Sequence, residues 1–159
     1  MIQIRTLDQY MMSLEAMNKI SSRQLPLDYY VEVAGPWFNY VAPEKAYEYG
    51  IECWLRLGVK ALVVDTNACF YRWKQLRTLG STKGQPSMKN VLLDSFGYAT
   101  MIACLSKAPD YHIGTHNEEP DRMNDLLILN VWEAGVTEYA SSWSLSMAFN
   151  MWRIVSEVR

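Results

Sequence analysis

Apolar side chains recur every three or four residues through most of this chain, and that spacing limits the fold more than any other feature. Leu7, Tyr10, Met11, Leu14, Met17 and Ile20 form one such series. Thr6 and Gln9 at its start have the capping-box form, in which a hydroxyl and an amide satisfy free backbone donors. Pro43 suits a first helical position, and Tyr47, Ile51, Trp54 and Leu55 then form an apolar face. Gly58 either ends that helix or bends it. Leu62, Val63, Phe70, Trp73 and Leu76 carry the pattern on to about Leu79. Gly80 to Pro86 reads as a polar loop, and Ser87 as the cap of a helix bearing Val91, Leu92, Phe96, Ala99, Ile102 and Leu105. Two more helices are expected, from Pro120 to Ala134 with a stop at Gly135, and from Thr137 to Val158. The segment Gln24 to Tyr40 holds Pro26, Gly35 and Pro36, and reads as a loop, a short strand or a helical turn between breaks. The expectation is a single all-α domain over residues 1–159, a compact bundle of about six helices.

Half of the 159 residues are hydrophobic and 20% are charged, which suits a packed domain and excludes a disordered chain. The formal net charge of -2 argues against duplex nucleic acid as a ligand, because such binders carry a basic surplus. No apolar stretch reaches the ~20 residues that span a bilayer, and the N-terminus lacks a signal-peptide pattern. Cys53, Cys69 and Cys104 each sit in an apolar-periodic segment with no CxxC spacing. They read as reduced core thiols in a cytoplasmic protein. Six Trp, ten Tyr and four Phe are explained by a core and a subunit interface, which suggests a homo-oligomer, or by base stacking.

Several polar residues stand out. Glu44, Glu48 and Glu52 repeat every fourth residue and so share one side of one helix. The row is either a solvated face relieved by Lys45 and Arg56, or a set of oxygen ligands for a divalent cation. Asp65 and Asp94 interrupt strongly apolar stretches, where a carboxylate is costly unless it is paired or ligand-bound. Arg72 follows Asp65 by two turns on nearly the same face, and Tyr98 follows Asp94 by one. The two aspartates are either structural links between helices or parts of a polar seam facing a ligand. Arg72, Lys74, Arg77, Lys83 and Lys89 surround one loop, where cations meet phosphates or complement a helix dipole. His112 and His116, with Glu118, Glu119 and Asp121 behind them, have the composition of a metal cluster but no assured common face. No Walker loop, G-x-S-x-G or dinucleotide fingerprint is present.

The stretch from Gly58 through Asp65 and Arg72 to Leu76, followed by Asn90 through Asp94, Tyr98 and Ala99, resembles a phage-enriched helical family, the nucleotide-modification-associated domain type 1. More distantly it is similar to the MazG-like all-α nucleotide pyrophosphohydrolases. The shared elements are Arg-x-x-x-Leu, here Arg72 and Leu76, and Asp-x-x-x-Tyr-Ala, here Asp94, Tyr98 and Ala99. The resemblance implies a MazG-like core, a nucleotide ligand, host cytoplasm if the gene is phage-borne, and Mg²⁺-dependent cleavage of a (deoxy)nucleoside triphosphate to monophosphate and pyrophosphate. In that reading Glu48, Glu52, Asp65 and Asp94 are catalytic, with Glu48, Glu52 and Asp94 on the metal. Arg72, Lys74, Trp73 and Tyr98 hold the substrate. The chain departs from the hydrolase pattern. Its glutamates are spaced ExxxE rather than ExxE, Val91 stands three before Asp94, and Ala68-Cys69 replaces the related family's Asp-Lys pair. Two alternatives therefore stand beside cleavage: a non-catalytic protein that sequesters a nucleotide, and a helical interaction protein without a small ligand.

Overall fold

A computed structural model describes residues 4–79, 81–106 and 119–158, with backbone alone for 81–86 and 158. These residues form helices α1 (Leu7–Gln24), α2 (Leu27–Tyr29), α3 (Ala42–Tyr49), α4 (Glu52–Thr78), α5 (Ser81–Leu105), α6 (Pro120–Leu127) and α7 (Ala140–Val158). Three π-helical stretches join them: π1 (Tyr30–Ala34), π2 (Trp37–Val41) and π3 (Ile128–Glu133). No strand occurs among the described residues, and the fold is an all-α bundle.

The capping box at Thr6 is present in both halves. The Gln9 N–H donates to the Thr6 hydroxyl, and the Gln9 side chain accepts from the Thr6 N–H. Tyr10, Leu14, Met17 and Ser21 then form the buried stripe of α1. The segment expected to be a loop, strand or turn is helical instead. Residues 27–49 run without a break, and the prolines account for the two π stretches. Proline has no N–H and its ring crowds the carbonyl four residues back. The residue before each proline bonds one residue further back than usual: Gly35 N–H to Tyr30 O ahead of Pro36, and Ala42 N–H to Trp37 O ahead of Pro43. Widening the turn lets the helix pass the proline without stopping.

Other boundaries also differ from the sequence reading. Gly58 bends the chain rather than ending it, with φ 75° and ψ -163° inside α4. Helix α5 begins at Ser81, so the expected loop up to Pro86 is helical and Ser87 is not its cap. The helix from Pro120 does stop at Gly135, whose φ of 73° lets the Val136 N–H reach back to Asn130 O at 2.7 Å. The last helix begins at Ala140 rather than Thr137. Cys69 and Cys104 are buried free thiols as expected, but Cys53 is exposed. Tyr47 is also exposed, at 73%, instead of facing the core.

Helix α5 is the centre of the bundle, packing against α4, α7, α1 and both proline-bounded π stretches. It is buried on nearly every side from Val91 to Cys104, as a helix enclosed by its neighbours must be. Phe96 lies edge-on to Tyr29, Trp37 and Phe38, with ring centroids 5.6–5.9 Å apart. Tyr29 continues the cluster to Phe149 and Trp152 on α7. The Trp152 indole N–H donates to Glu32 Oε2 at 2.8 Å, tying α7 to π1. The absence of a side chain at Gly97 makes room for the Trp37 indole, whose nitrogen occupies the place a Cβ would take.

Candidate functional site at the seam of α3, α4 and α5

Two helices carry the polar groups that the sequence singled out. On α4 the core face holds Leu62, Thr66, Cys69 and Trp73, while Asp65 and Arg72 sit on its flank toward α5. On α5 the facing flank holds Asp94 and Tyr98. The Cys69 thiol donates to Val91 O at 3.2 Å and forms the floor between the two helices. Burial pushes this thiol up to about 12, with Asp94 and Asp65 raising it further and Arg72 and Lys45 opposing them. The Cys104 thiol is likewise pushed up to about 12, mainly by burial. Neither is a thiolate nucleophile at neutral pH.

Tyr98 is half-buried at the same place. Burial first, then the charges of Asp65 and Asp94, push its hydroxyl up to about 12. Both aspartates therefore act on the Tyr98 hydroxyl, a placement common to the structural-link and ligand-seam readings. Asp94 also has a structural partner, because Lys45 on α3 approaches it at 3.5 Å with both side chains partly exposed. A pair this open contributes well under ~1 kcal/mol, so Lys45 matters more as a cation held at the seam than as a brace.

Asp65 is different. Among the described residues it makes no hydrogen bond or ion pair, although desolvation raises its carboxyl above the ordinary 3.8. Asp65 is exposed, and the helix packing beneath its carboxyl still removes enough water to disfavour the charge. A carboxyl whose folded-state pKa is raised contributes stability that is fully present below the unfolded value. That contribution is lost as pH rises through the folded value. Asp65 therefore costs stability at neutral pH. Asp65→Asn is expected to melt above the wild-type protein at pH 7, with the gap closing as pH falls below 4. Thermal melts that show the variant less stable at pH 7 would contradict this.

The remaining candidates fall elsewhere. Trp73, expected to hold a base, is 1% exposed and packs in the core beside Phe70, with the Arg77 guanidinium 4.7 Å from its ring centre. Its ring cannot meet a ligand without leaving the core, and its indole nitrogen has no hydrogen-bond partner among the described residues. Lys74 points the other way from Arg72 and donates to Asp121 on α6 at 2.7 Å, which raises its pKa. It latches α4 to α6 rather than facing the seam.

The glutamate row is broken. Helix α3 ends at Tyr49, Gly50 takes φ 67°, and Glu52 begins the next helix, so Glu44, Glu48 and Glu52 do not share one helix. Glu48 and Glu52 are exposed. Among the described residues no three His, Cys, Asp or Glu side chains gather as a metal site, so Glu48, Glu52 and Asp94 do not form the expected cage. His112, His116 and Glu118 lie outside the described residues.

Sequence reasoning singled out Asp65, Arg72, Asp94 and Tyr98. It missed the part played by Lys45, which it assigned to relieving the glutamates. It also missed Cys69 as the floor, since a thiol at a core position gives no signal of what lies beside it. Among the described residues no helix is long and apolar enough to cross a membrane. Leu129, Trp132 and Tyr139 are exposed near π3, and Tyr40, Tyr47 and Tyr49 near α3. No known protein family, curated protein or solved structure matches the chain.

Proposed function

We propose that the chain binds a nucleotide at the seam of α3, α4 and α5. The observation that carries this reading is the contact of Lys45 with Asp94 across the seam, one turn from Tyr98 and beside the Cys69 floor that Asp65 and Arg72 flank on α4. Arg72 makes no ion pair with any described residue, which leaves its planar fork for a phosphate. Lys45 adds a second cation, and the Tyr98 hydroxyl keeps its proton to donate. The resemblance around Arg72 and Asp94 points to the same ligand class.

Binding without turnover is preferred to cleavage. Mg²⁺ takes one or two carboxylates plus substrate phosphates. The proposed trio Glu48, Glu52 and Asp94 does not come together, and Lys45 already engages Asp94. Calorimetric titration with a panel of nucleoside mono- and triphosphates tests the proposal. Saturable binding is expected, weakened at least tenfold by Arg72→Gln, with the ligand recovered intact after denaturation. Pyrophosphate release that requires Mg²⁺ would replace the binder with a hydrolase. No binding of any nucleotide to the folded chain would refute the proposal.

A further inference from the structure

Asp65 and Arg72 are seven residues apart on the straight part of α4 beyond Gly58. At 1.5 Å per residue and 3.6 residues per turn, that is ~10.5 Å along the axis with the two positions nearly in line. Both carry a charge that no described residue engages by hydrogen bond or ion pair. Cys69 lies between them on the floor, and Tyr98 on α5 stands opposite. The helix thus presents an open acceptor and an open cation, of opposite sign and fixed spacing, along the exposed edge of the seam. The matching ligand is dipolar. It carries an anion at one end and N–H donors at the other, about as far apart as the phosphate and base edge of an extended nucleoside monophosphate.

We infer that Asp65 reads the base of the bound nucleotide and Arg72 its phosphate, and that the base is of the guanine type. This rests on the nucleotide-binding reading above. An ionised carboxylate has two acceptor oxygens and no donor, so it is satisfied by two adjacent N–H groups. Guanine offers that pair on its Watson–Crick edge, from N1 and the 2-amino group. Adenine lacks the N1 hydrogen, and hypoxanthine lacks the 2-amino group. A base that leaves one carboxylate oxygen unpaired forfeits a charge-assisted hydrogen bond, and that loss is the source of the discrimination.

Titration of the full chain with the 5′-monophosphates of guanosine, inosine, xanthosine and adenosine tests the inference. The guanosine ligand is expected to bind tightest, roughly ten- to hundredfold ahead of the inosine ligand. Asp65→Asn should weaken the guanosine ligand by a similar factor and strengthen the xanthosine ligand. Xanthine presents an oxygen where guanine has the amino group, and the asparagine amide donates to it. A merely structural role for Asp65 would not move that preference. Arg72→Gln should weaken all four alike. Should Asp65→Asn alter the four affinities equally, or not at all, the inference fails while nucleotide binding stands. If none of the four binds the wild-type chain while another nucleotide does, the inference also fails alone. If no nucleotide binds, both fail together.

Discussion

Gly97→Ala is expected to destabilise the protein by about 1–3 kcal/mol, read as a lowered denaturation midpoint. The sign runs against helix propensity, since alanine in a helix interior is favoured over glycine by about 1 kcal/mol. Packing decides the outcome. A methyl at this position falls on the Trp37 indole, with Cε2 only 2.7 Å away, and the ring has little freedom to retreat. Trp37 is 2% exposed and wedged against Phe38 and Phe96. The penalty should shrink when Trp37→Phe removes the indole nitrogen, which a double-mutant cycle would measure as coupling. A Gly97→Ala variant at least as stable as wild type would show that α5 and π2 do not meet this closely.

Neighbouring residues on α4 should give opposite phenotypes. Trp73→Ala is expected to cost about 3–5 kcal/mol, because it empties a fully buried site next to Phe70. Arg72→Gln should leave stability within about 0.5 kcal/mol of wild type, since its guanidinium is exposed and engages no carboxylate among the described residues. Only the second should lose nucleotide affinity with the fold intact. The discriminating measurement is urea denaturation of both variants alongside binding by the Arg72 variant. A large stability loss in Arg72→Gln would mean that the side chain braces the fold, and the seam would then lose its open cation.

The contrast between these two residues shows what was legible in the sequence. Arg72 and Trp73 differ by 100° around the helix axis. Periodicity placed Trp73 on the apolar stripe, whereas the expectation that it would hold a nucleotide came from its being an aromatic residue next to Arg72. The stripe was the better guide. Asp65 and Asp94 stood out because a charged group inside an apolar run needs a reason to be there, and Arg72 and Tyr98 because they follow those two at helical spacing. Lys45 did not, because its partner lies 49 residues away on another helix, and sequence spacing carries no information about such a pair.

The capping box at Thr6 and the glycine stop at Gly135 were legible because each is a local contract between adjacent backbone groups. The helix over residues 27–49 was not. Proline and glycine signal a break in an ordinary helix, and the change of hydrogen-bond register that absorbs Pro36 and Pro43 has no composition of its own. The glutamate row failed for the converse reason. Its spacing is helical, but Gly50 resets the chain between the second and third members.

The two proline-bounded stretches also set the rotational phase of everything after them. A π turn takes up about one residue more than an α turn, so each shifts the following side chains by roughly 100° about the helix axis relative to an unbroken α-helix. Trp37 follows one such offset, and Lys45 follows two. The azimuth that puts an indole over Gly97 and an ammonium group beside Asp94 is therefore counted out by the prolines. Deleting a single residue between Tyr30 and Ala34 would leave the apolar content of this helix almost unchanged and aim both side chains at the wrong neighbours.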